Sequence, residues 1–177
     1  MIFTGFKRKT NQIFFNKKLI ELQNQGDVSC NKNIESVLVV LDNLENQDKI
    51  IKDLSKKLNR AKNCFEVVIF QPKKDKNNLI ENAFYPTCLG WYGKIKSIFF
   101  KDILTKKYDL LINYNKVDNI YVNLLLLQCK ADFKVGFANL NKALYQLVID
   151  CETDDYELFN EEIKKYLTIL NKLECKN

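Results

Sequence analysis

Acidic and amide side chains follow directly on several short apolar runs of this chain, and that placement is where a ligand site is sought first. Asp42 and Asn43 come after the run at 37–41, and Gln71 after 65–70. Asn113 and Asn115 stand at and beyond the end of 109–113, and Asp150 closes 146–150. If these runs are parallel strands, their carboxyl ends share one edge, which is where open α/β sheets bind ligands. The six residues are therefore the ligand-binding candidates, with Asp42 foremost. A plainer role competes, because Asp and Asn at strand-to-helix turns also serve as caps and turn residues.

Several chemistries are argued down by what the chain lacks. After the first apolar run it reads Leu41-Asp42-Asn43-Leu44-Glu45-Asn46, with no glycine fingerprint for a dinucleotide, and the phosphate-cradling Gly-x-x-x-x-Gly-Lys-Ser/Thr is absent. There is no His, so a His-based triad is impossible, and no Gly-x-Ser-x-Gly elbow occurs. The six cysteines, Cys30, Cys64, Cys88, Cys129, Cys151 and Cys175, stand more than twenty residues apart with no Cys-x-x-Cys pair. That spacing predicts reduced, mostly buried thiols and no metal site. The acidic group Asp150, Glu152, Asp154 and Asp155 is a poor cation site, because neighbours in sequence do not all face one point and the later pair is better explained by the start of a following helix. No catalytic residue and no cofactor is assigned.

Two further sets of residues can make contacts. Trp91 and Tyr92 lie between Gly90 and Gly93 with Lys94 and Lys96 beyond, a platform for a base or sugar ring or an aromatic plug that packs a loop on the core. Lys7, Arg8, Lys9, Lys17 and Lys18 form a basic face on an amphipathic helix, the expected contact for a protein or RNA partner or for a membrane surface. That helix should bury Ile13, Phe14, Leu19 and Leu22 and turn its cations to water. The net charge of +6 is too modest to decide for nucleic acid by itself.

The elements that must position these residues alternate. Apolar runs at 37–41, 65–70, 109–113, 133–137 and 146–150 read as strands. Helical periodicity covers Phe6 to Gln25, Asn46 to Lys62, Ile120 to Ala131 and Tyr156 to Leu173. Thr153, Asp154 and Asp155 supply a cap and an acidic first turn for the last helix. Between the two strand–helix–strand units, Gln71 to Lys107 is irregular, with a charged turn at Pro72 to Lys76 and one short helix over Ile98 to Leu104. The pattern predicts a three-layer α/β domain, Rossmann-like or flavodoxin-like, with about five mostly parallel strands. One domain is expected over 1–177. A basic amphipathic helix over 1–26 ends at Gly26, and the core spans 34–177. At 177 residues such a domain buries roughly two-thirds of its unfolded surface. The start, Met1 to Lys9, has no continuous apolar core, and no run reaches the roughly 20 apolar residues of a transmembrane span, so the expected location is the cytoplasm.

The series Gly90-Trp91-Tyr92-Gly93, Tyr108-Asp109-Leu110-Leu111-Ile112-Asn113, Ala131-Asp132-Phe133-Lys134-Val135-Gly136 and Leu147-Val148-Ile149-Asp150 resembles a family of small Bacteroidota proteins of unknown function. The resemblance spans most of the chain and implies a fold but no activity. Tyr108 to Phe137 alone is similar to part of the N-terminal half of heptosyltransferase-type glycosyltransferases, which use a second Rossmann-like domain for the nucleotide sugar. The expectation is thus a non-enzymatic binding or adaptor protein. The alternative is a minimal or degenerate glycosyltransferase-like or nucleotide-binding enzyme working in the strand-end crevice.

Overall fold

A computed structural model describes residues 2–23, 33–74 and 80–173, so the expectations for Gly26, Cys30, Asp75, Lys76 and Cys175 lie outside the described residues. Strands β1 (Val37–Leu41) and β4 (Lys107–Asn113) are neighbours at the centre of one six-stranded sheet. β2 (Phe65–Phe70) and β3 (Ala83–Phe84) extend it on one side, β5 (Lys130–Phe137) and β6 (Leu147–Ile149) on the other. Every pairing is parallel. The order β3-β2-β1-β4-β5-β6 is the doubly wound Rossmann order, which decides against the flavodoxin-like one. All five residues of β1 are buried, as a Val/Leu run covered on both faces requires.

Helix α1 (Ile2–Gln23) precedes the sheet. α2 (Gln47–Leu58) crosses from β1 to β2, α3 (Ile98–Thr105) leads into β4, α4 (Ile120–Gln128) crosses from β4 to β5, and α5 (Tyr156–Ile169) closes the fold. The α2 and α4 crossovers travel in opposite directions along the sheet, so right-handed connections put them on opposite faces. α5 packs beside α2 and α1 against α4. α2 shows why this works: Ile50, Ile51, Leu54 and Leu58 are buried on one stripe, and Asn59 in the left-handed region (φ 52°) ends it. α4 is different, because Val122 to Leu127 are all buried. A helix apolar all round needs cover on every side, and α1 supplies the outer layer. At the start of β1, Asp109 Oδ2 accepts from the backbone N–H groups of Glu35 and Ser36, each at 2.9 Å, and from Ser36 Oγ at 2.8 Å, fixing β1 against β4. Among the described residues no helix is long and apolar enough to cross a membrane.

The sheet agrees with about five mostly parallel strands and adds a sixth, the two-residue β3, which is too short to leave a period in the sequence and exists through pairing with Ile69 and Phe70. Two expectations need correction. α4 stops at Gln128 and β5 begins at Lys130, three residues before the run at 133–137, since pairing with β4 begins at Lys107. The inner face of α1 is not the one expected: Ile13 and Leu22 are exposed, whereas Phe15, Thr10 and Asn11 are buried and Phe14 and Leu19 half-buried. The buried Asn11 is half-satisfied: its Oδ1 accepts from Gly93 N–H at 2.9 Å, while its Nδ2 has no hydrogen-bond partner among the described residues.

Candidate functional site

The connection from β1 moves to β2 and that from β4 moves to β5, so the chain reverses direction between the carboxyl ends of β1 and β4. This switch point is where doubly wound sheets open a crevice. Asp42 leaves β1 there, and Asn113, Asn115 and Lys116 leave β4. The structure brings these residues together. Asp42 Oδ1 accepts from Asn43 Nδ2 at 2.9 Å and Oδ2 from Lys116 N–H at 3.3 Å, while Asn43 Oδ1 accepts from Glu45 N–H in the turn. Asn113 and Asn115 are buried. Asn113 Nδ2 donates to Tyr145 Oη at 2.8 Å, and its Oδ1 accepts from the Asn115 N–H at 3.1 Å and Nδ2 at 2.6 Å. Gly136 is what admits Tyr145, since a Cβ there would lie 2.7 Å from the ring.

Lys116, which sequence reasoning missed, ties the edge to the last helix. Its ammonium pairs with Asp154, and that hydrogen bond, with the Asp154, Asp42 and Glu45 charges, holds its pKa above the usual lysine value. The signal was its place three residues beyond the end of an apolar run. Asp118 Oδ1 accepts from Asn123 Nδ2 and from Asn141 N–H, and Asn119 caps α4 by accepting from Tyr121 N–H. Asp155 caps α5, accepting from Leu158 N–H at 2.9 Å. Gln71 and Asp150 lie on the same edge but apart from this cluster. Gln71 N–H pairs with Phe84 O across β2 and β3, and Asp150 is exposed. Among the described residues no group of three Cys, Asp or Glu is placed to hold a metal ion.

Two cavities among the described residues lie toward the opposite edge. A groove of about 370 Å³ runs between Phe14, Leu22, Leu104 and Leu127 with Lys18 and Glu21 at its rim, and a smaller one lies beside Asn59 and Lys164.

On α1, Arg8, Lys9, Lys17 and Lys18 are exposed, and Lys18 pairs with Glu21 at 2.6 Å. Lys7 departs from the expected exposed face. It is half-buried with Nζ donating to Pro86 O at 3.4 Å, and burial together with the Lys96 charge lowers its pKa. In the Trp91–Gly93 turn the glycine, and not the aromatic rings, packs on the core. Gly93 is buried under Phe14 and its carbonyl accepts from Gln128 Nε2, whereas Trp91 and Tyr92 remain exposed, with Trp91 5.8 Å from the Phe6 ring. Tyr92 adopts a left-handed conformation at φ 54°.

The strand order and the switch-point cluster define a doubly wound, Rossmann-like α/β protein. Residues 7–170 match DUF6913, a family of unknown function, and the chain belongs to that family. No curated protein matches it. Among solved structures it is similar to the glycotransferase of kitacinnamycin, at 14% identity and a TM-score of 0.32, over 84% of this chain and 41% of that one. The chain thus spans less than half the length of that structure.

Proposed function

We propose that this DUF6913 protein is a non-enzymatic cytoplasmic binding or adaptor protein whose contacts are made from α1 and the Trp91–Tyr92 turn. The observation that carries the reading is a contrast between two surfaces. At the switch point Asp42 accepts from Asn43 and from the Lys116 backbone, and the buried Asn113 engages both Asn115 and Tyr145. On α1, Phe6, Ile13 and Ile20 stand in solvent. A ligand entering beside Asn113 has to replace buried hydrogen bonds, and each group left unpaired costs about 1–3 kcal/mol. The alternative, a minimal or degenerate glycosyltransferase-like or nucleotide-binding enzyme, draws its support from the half-buried Asp42 and Lys116 at the switch point.

The test places a photo-crosslinking side chain at Ile13 or at Asn43 in cells and measures thermal stability with nucleotides and nucleotide sugars. Cross-links are expected from Ile13 and not from Asn43, with the melting temperature unmoved. A saturable rise in melting temperature that is lost in Asp42→Ala sinks the reading in favour of the alternative.

A further inference from the structure

Residues seven apart on a helix drift by only about 20° per step, so Phe6, Ile13 and Ile20 form a single outward ridge along α1. Their side chains are 62%, 58% and 60% exposed. Lys9 and Lys17 flank the ridge on either side, and no carboxylate occurs between Ile2 and Ile20. Near one end of the ridge the Phe6–Trp91 contact adds two exposed aromatic residues, Trp91 and Tyr92. The helix is apolar on an outer stripe although its inner face is already occupied by Asn11, Phe15 and Phe14.

We propose that this outer face of α1, with Trp91 and Tyr92, docks on an anionic phospholipid bilayer. The proposal deepens the binding reading by naming its partner, and it rests on that reading. A second copy of the chain is a poor occupant: antiparallel pairing about Ile13 sets Lys9 against Lys17, and parallel pairing sets each cation against itself, a like-charge juxtaposition. A nucleic-acid backbone neutralises Arg8, Lys9 and Lys17 but buries none of the ridge. An anionic bilayer takes both, since interfacial helices sink an apolar stripe at the headgroup boundary while flanking lysines meet phosphates. Trp and Tyr are the residues that prefer that boundary. The helix lies on the surface and does not span it, because its inner face stays on α4.

The full chain is floated with vesicles of phosphatidylcholine containing roughly one-third phosphatidylglycerol, and with pure phosphatidylcholine as control. Trp91 is the single tryptophan, so its emission reports the turn directly. Expected are flotation and a blue shift with the anionic vesicles only, both lost at high salt. Lys9→Glu with Lys17→Glu should cut partitioning by more than tenfold, at about fivefold for each cation lost. Ile13→Asp should cut it by about tenfold; Ile13 is exposed, and an unchanged melting temperature verifies the fold. Failure to float at low salt overturns the proposal, as does equal partitioning onto neutral vesicles or undiminished partitioning of the variants. Binding of a short RNA that is lost with the lysines yet kept in Ile13→Asp replaces it with a nucleic-acid surface. A vesicle-negative protein that still cross-links from Ile13 removes the bilayer and leaves the binding reading intact, whereas Asp42-dependent nucleotide binding removes that reading itself.

Discussion

Tyr108, Tyr114, Cys129 and Tyr145 are acids that burial holds in their neutral forms. Burial pushes the Cys129 thiol from its ordinary value near 9 up to about 12, and the Tyr145 phenol from near 10 to about 12 against the opposing Asn113 hydrogen bond. Burial raises Tyr108 as well, helped by the Glu66 carboxylate that accepts its hydroxyl, and raises Tyr114, with Asp53 adding to it. In each case the native state keeps a proton that the unfolded chain gives up, so their stability contribution is complete below about pH 9 and falls as pH rises toward 12. Lys134 works in the opposite sense. Burial lowers its pKa, so the native amine releases its proton before the unfolded one does and adds stability as pH climbs to its ordinary 10.5. Lys7 is lowered as well, but four raised acids outweigh two lowered amines, and the urea midpoint should fall steadily above about pH 10. Cys129→Ala should flatten the early part of that fall. A midpoint constant through about pH 11 would refute this linkage.

At the level of elements, the attachment of α1 depends on Gly93. Its φ of +68° and the 2.7 Å that would separate an added Cβ from the Phe14 ring leave no room for a side chain. Gly93→Ala should destabilise the α1 contact by about 2 kcal/mol, seen as faster amide exchange and tryptic cleavage along α1 with the sheet amides unchanged. Gly5 is the opposite case, with nothing within 4 Å of an added Cβ. Gly5→Ala should stabilise by about 0.5–1 kcal/mol. Sheet amides that exchange faster in step with those of α1 would show that the helix is not a separable layer. Legibility in the sequence divides at the same place. α2 was readable because its buried residues keep helical spacing; α5 was readable only in part, since Phe159, Ile163 and Leu167 are buried but Leu158, Tyr166 and Leu170 are exposed, and α1 was misread on its inner side because two polar residues, Thr10 and Asn11, are buried there.

Across the whole molecule, one polar relay joins three elements. The Tyr114 hydroxyl just beyond β4 donates to Asn160 Oδ1 on α5, and Asn160 Nδ2 donates to Asp53 Oδ2 on α2 at 2.8 Å. Lys57 then holds Asp53 at 3.1 Å and donates to Glu157 O at 2.7 Å. Phe159 stacks on Phe137 beside it, with ring centroids 4.0 Å apart. Asn160→Ala strands a fully buried hydroxyl and should cost about 2–3 kcal/mol, Tyr114→Phe about 1 kcal/mol, and the double variant less than their sum. Additive losses in urea unfolding would mean that the relay is not one unit.

The sequence by itself determined the alternation of strands and helices, the parallel sheet and the edge on which Asp42, Asn113 and Asp150 stand, because these follow from the spacing of apolar residues over a few turns of chain. It also marked the Trp91 turn as special through its paired glycines. Only the tertiary structure decided the Rossmann strand order, the existence of β3, the face on which α1 lies and the hydrogen-bond partners at the switch point. Each depends on a partner remote in the chain. Asn11 finds Gly93 at a separation of 82 residues, and Asn113 finds Tyr145 at 32. A local pattern states which residues avoid water, but which polar groups satisfy one another is settled only when distant segments meet.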